Sequence, residues 1–171
     1  MTITPEAPTL KTSALDMLTE DEANRVAALV VRDNEGVEDQ ATALSIVDEA
    51  LKFLAAAANG KNKGKALRPS RVVDMGWHAL ILHTEIYFKL CHGLGRYLHH
   101  RPEGPETLRR DATTLDNTVE AIRNAGYAPN EYLWGMKAET EIKGGDCMHS
   151  ECNQDGACTA PQVFGLATTT A

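Results

Sequence analysis

The chain has 171 residues and a mass of 18.6 kDa, with 43% hydrophobic and 24% charged residues, a formal charge of −7 and a pI near 5.3. These values describe one globular domain with some additional chain, and they exclude wholesale disorder and rod-like repeats. The acidic balance argues against a nucleic-acid partner, which needs a clustered basic field.

Residues 1–12 hold two prolines and no periodicity, so they read as a flexible N-terminal arm. No basic stretch followed by an apolar one occurs in Met1–Leu18, so a signal peptide is not expected. Thr19 and Glu22 fit a capping box, and Ala23, Val26, Ala27, Val30 and Val31 follow at helical spacing until Asn34 and Gly36. A second helix is expected over Val37–Ala58. Its apolar face comprises Ala41, Leu44, Ile46, Val47, Leu51 and Leu54, and Glu38 and Asp39 lie at the end that favours acids.

Asn59–Ser70, with Lys61, Lys63, Lys65 and Arg68, reads as a mobile, solvated linker. Ser70 is a good N-cap for a third helix, Arg71–His92, which Gly93 would close as C′ residue. That helix is apolar nearly all round and is expected to be central, with Asp74, His78 and Glu85 on a narrow polar stripe. The same acids and histidines make Val72–Leu90, the most apolar window, unfit to span a membrane. Pro105 opens a fourth helix that runs to Gly126, and Tyr127–Met136 could cap the core with Tyr132, Leu133 and Trp134. From Lys137 onward periodicity fades, and three of the four cysteines fall in this tail. The expected fold is all-α: a four- to five-helix bundle over residues 13–136 with an irregular tail over 137–171.

Two places could carry chemistry. One is the third helix with the histidines that follow it. Asp74 and His78, four residues apart, can share one cation, and His99 arriving from another element could complete a three-ligand site. The same pair could act in acid–base catalysis, with Asp74 orienting His78 and His99 or His100 bringing the second imidazole. A satisfied hydrogen-bond network is the structural alternative. The other place is the tail, where Cys147, His149, Cys152 and Cys158 have the number and type of donors for tetrahedral zinc. Thiol redox chemistry is the alternative there. Cys91 reads as a small core residue.

The stretch Pro69–Pro102, PSRVVDMGWHALILHTEIYFKLCHGLGRYLHHRP, resembles the central motif of the glycine-rich domain-containing protein family, and is closer to its short bacterial relatives than to the plant members. Asp74, Trp77, His78, His83, Thr84, Tyr87, Cys91, Gly95, His99 and His100 carry the resemblance, with weaker agreement in IVDEALKFLAA. It implies a four- or five-helix domain followed by a short cysteine-bearing tail, and it implies no particular reaction. Position 80 is Leu where the plant pattern has His, so a chelating His-x-His pair is absent.

The expected function is a cytoplasmic metal-binding protein, with zinc the first choice on ligand type and iron or copper the alternatives at the histidine–carboxylate site. It would carry out metal-assisted or acid–base chemistry on a small molecule. Two other readings involve the tail: an adaptor whose tail binds a protein partner, or a precursor releasing residues 146–171 after Gly144-Gly145.

Overall fold

In a computed structural model the described residues are 9–62, 66–100 and 112–142. They form six α-helices: α1 Glu20–Asp33, α2 Gln40–Ala58, α3 Arg71–Leu82, α4 Thr84–Gly93, α5 Ala112–Asn124 and α6 Met136–Glu141. Two 3-10 turns, Leu15–Met17 and Gly60–Asn62, complete the regular structure. No strand occurs among the described residues, and none of their helices is long and apolar enough to cross a membrane. The all-α expectation holds.

The helix starts follow local chemistry. The Thr19 hydroxyl accepts from the Glu22 amide while the Glu22 carboxylate accepts from the Thr19 amide, so the expected capping box opens α1. Asp39 caps α2 by accepting from the Thr42 amide, which starts this helix three residues later than expected. Ser70 caps α3 through the Val73 amide and donates its own hydroxyl hydrogen to the Leu133 carbonyl at 2.7 Å. That second bond ties the start of α3 to the loop after α5.

The centre of the bundle is α2. It packs against α1, α3, α5 and both 3-10 turns, and every residue from Ile46 to Leu54 is buried. Ala41, expected on the apolar face, is exposed. The helix expected to be central, Arg71–His92, is two helices. His83 (φ −87°, ψ 68°) interrupts it, and both its amide and its ring Nδ1 turn back to the Ala79 carbonyl. A side chain that competes for a backbone acceptor in this way weakens helix continuation.

The stops of α4 and α5 are Schellman turns around a left-handed glycine. After α4 the residue in that conformation is Gly95 (φ +75°), not the expected Gly93, with the Arg96 amide bonded to the Cys91 carbonyl and the Gly95 amide to that of His92. After α5 it is Gly126 (φ +93°), as expected. The linker before α3 ends in the core, for Leu67, Arg68 and Ser70 are buried and the Arg68 amide donates to the Thr118 hydroxyl at 3.0 Å. Residues 9–14 dock as well: Lys11 bridges to Tyr127, with its amide on the Gly126 carbonyl and its carbonyl on the Ala128 amide.

α2 and α3 come close together at Gly76. A Cβ there would lie 2.9 Å from the Ile46 carbonyl oxygen and 3.0 Å from the Ala50 Cβ, so two backbones would have to part. Alanine favours helix over glycine by about 1 kcal/mol. Gly76→Ala is nevertheless expected to cost about 1–3 kcal/mol through overpacking, measured by urea unfolding. Unchanged or increased stability would show that the two helices separate freely.

Candidate metal centre

Asp74 lies in the first turn of α3 and His78 one turn later, so both side chains emerge on the same side of the helix. The ring Nδ1 of His78 is 2.8 Å from the Asp74 carbonyl oxygen and 3.3 Å from Asp74 Oδ2. Both oxygens can only accept, so Nδ1 carries the hydrogen and Nε2 of the neutral ring holds the lone pair. The third member comes from the irregular segment that the turn at Gly95 sends back towards α3. His100 Nε2 is 3.3 Å from Asp74 Oδ1, and its ring meets that of His78 edge-on with centroids 4.3 Å apart.

One ligand atom from each of Asp74, His78 and His100 can be chosen so that all lie within 4.8 Å of one another. Two imidazoles and one carboxylate suit zinc, iron(II) or copper(II), and three protein ligands leave coordination positions for a small molecule. Tetrahedral coordination at about 2.0–2.1 Å separates ligand atoms by about 3.3 Å, the distance found here between His100 Nε2 and Asp74 Oδ1. The Asp74 side chain is buried, that of His100 nearly so, and that of His78 is 33% exposed, so solvent reaches the cluster on the His78 side.

The packing around the cluster is aromatic. Trp77, fully buried on α3, lies against His100 with ring centroids 4.6 Å apart and against Phe53 of α2 at 5.3 Å. Its indole N–H donates to the Tyr87 hydroxyl at 3.0 Å, and that hydroxyl donates to the Leu98 carbonyl. Burial pushes the Tyr87 phenol well above its usual range and pushes the Cys91 thiol up as well, so Cys91 is a neutral core thiol rather than a nucleophile.

The other sequence candidates fall elsewhere. His99 is exposed and its ring packs tilted against Tyr97 with centroids 4.8 Å apart, while its neighbour His100 faces the cluster. His83 sits at the junction of α3 and α4, His92 is exposed, and Glu85 pairs with Lys89 at the surface. Cys147, His149, Cys152 and Cys158, and with them Gly144-Gly145, lie outside the described residues.

A second polar cluster was not anticipated: Asp48, Glu49 and Lys52 of α2 are all buried. Lys52 Nζ reaches Asp48 Oδ2 at 2.9 Å, Glu49 Oε1 at 2.7 Å and the Ala128 carbonyl at 3.0 Å, which uses all three of its hydrogens. Glu49 also accepts from the Asn130 amide at 3.0 Å and the Trp134 indole at 2.6 Å, and Asp48 from the Ser13 hydroxyl and the Ala14 amide. Burial alone would lower the Lys52 pKa, but its hydrogen bonds to Glu49 and Asp48 outweigh this and hold it above the ordinary lysine value. With every group matched, the cluster fastens residues 13–14 and 128–134 to α2.

Among known proteins, a family model described as UCP032817-like matches residues 22–125. No curated protein and no solved structure matches the chain. The matched stretch contains Asp74, His78 and His100 and stops short of the tail cysteines.

Proposed function

Given that the chain belongs to the UCP032817-like family, we propose that it binds one divalent transition-metal ion through Asp74, His78 and His100, zinc before iron or copper, and uses it on a small molecule. The observation that carries this reading is the convergence of three ligand atoms within 4.8 Å from two separate segments. Asp74 supplies the charge, and its carbonyl fixes the His78 ring with Nε2 as the donor. His100 gives up its hydrogen bond to Asp74 when a cation takes the place of that hydrogen. A bound ion would supply Lewis-acid chemistry to an oxygen or nitrogen function arriving from the His78 side.

The test is elemental analysis of the full chain beside a version ending at Lys143, both purified without added metal or chelator. Both are expected to carry about one equivalent. Metal lost on truncation would move the site to Cys147, His149, Cys152 and Cys158. If neither form holds metal and neither takes up added zinc, the reading fails.

A further inference from the structure

We infer that Tyr87 is a positioning residue for the metal centre, setting the place of His100 through the Leu98 carbonyl. The inference rests on the reading of Asp74, His78 and His100 as metal ligands. Asp74 and His78 need nothing beyond α3 to be neighbours, but His100 belongs to a segment without helical hydrogen bonds and must be held by other means. Two contacts do so. Its ring lies between Trp77 and His78, with centroids 4.6 and 4.3 Å away, and its backbone is anchored two residues earlier where the Tyr87 hydroxyl donates to Leu98.

The Tyr87 hydroxyl is itself aimed by the Trp77 indole N–H at 3.0 Å, so one buried oxygen joins α3, α4 and the His100 segment. Residues ten apart in a straight helix rise about 15 Å, further than a Trp and a Tyr side chain can span. The turn at His83 between α3 and α4 is what allows the Trp77–Tyr87 bond. The buried Cys91 thiol lies beside the Tyr87 side chain and the Leu98 backbone. Removal of the Tyr87 oxygen strips the Leu98 carbonyl of its donor and the Trp77 indole of its acceptor. His100 is then free to shift while all three ligands stay chemically intact.

The experiment is a zinc titration of the full-length protein against a chromophoric chelator, with cobalt(II) absorption as the spectroscopic readout. Wild-type protein that binds neither ion would overturn the metal reading itself, and this inference with it. With wild-type binding in hand, Tyr87→Phe is expected to weaken zinc by about tenfold or more, as loss of partners behind metal ligands does. It should also change the cobalt spectrum. Trp134→Phe removes a buried indole bond to Glu49 away from the cluster, and should lower thermal stability while leaving zinc affinity and the cobalt spectrum as in wild type. Equal zinc affinity in Tyr87→Phe and wild type, or equal weakening in both variants, would overturn the positioning role. If Tyr87→Phe does not fold, Trp77→Phe keeps a ring against His100 but removes the bond that aims the hydroxyl. Unchanged zinc binding in Trp77→Phe overturns the inference.

Discussion

Asp74→Asn is expected to lower zinc affinity by at least about a hundredfold, beyond the ten- to hundredfold that outer partners of a metal site carry. Asparagine keeps the volume and one acceptor oxygen, so the packing of a buried side chain between two imidazoles is preserved. What disappears is the only carboxylate in the cluster and therefore its only negative charge. The fold should survive, because the amide oxygen can still accept from His78 or His100, and stability should change by no more than about 1 kcal/mol. Competition titration measures the first quantity and urea unfolding the second. If stability collapses while zinc affinity is kept, Asp74 is a core hydrogen-bonding group and no metal ligand. If both stay at wild-type values, Asp74 has neither role.

The largest expected loss of stability comes from Lys52→Met. Methionine fits the volume but leaves the Asp48 and Glu49 carboxylates without the ammonium between them, and deleting one partner of a buried ion pair costs about 3–5 kcal/mol. Denaturant unfolding followed through Trp134, which touches Glu49, reads this directly. A loss below about 1 kcal/mol would mean that water enters and solvates the carboxylates. The pH dependence gives an independent check. The folded-state pKa of Lys52 is raised, so its contribution is complete below the ordinary lysine pKa of about 10.4 and is lost as pH rises through the higher folded value. Wild-type protein should therefore lose stability on the alkaline side of that range, and Lys52→Met should lack this component.

The sequence discloses what depends on neighbours along the chain. The Thr19–Glu22 box, the Ser70 cap and the stop at Gly126 each need only a few adjacent residues, and Asp74 with His78 need one turn of helix. The choice between His99 and His100 does not lie in local spacing. Consecutive side chains of an extended segment point to opposite sides, so one of the two must face away, and only the register set by the turn at Gly95 decides which. The break at His83 escapes for a similar reason. The apolar spacing runs unbroken through Arg71–His92, and the bend brings Trp77 and Tyr87 into a contact that no helical period contains. Asp48, Glu49 and Lys52 have the spacing of an ordinary surface ion pair, and only their partners from residues 13–14 and 128–134 make them interior groups.

The closure at Lys11 bears on the order in which the chain can assemble. During synthesis Lys11, Ser13 and Ala14 emerge early, but the Gly126 carbonyl and the Ala128 amide that receive Lys11 come after five of the six helices. The segment around Lys11 must wait until α1–α5 have been made before it can dock, and a pairing so distant in sequence forms late. Residues 22–125, the stretch the family model covers, contain Glu49 and Lys52 but neither the Asn130 amide, the Trp134 indole nor the Ala128 carbonyl that complete their shell. A fragment cut to those bounds would hold Asp74, His78 and His100 yet leave this ion pair part-clothed, so residues 13–14 and 128–134 are what finish the middle of the bundle.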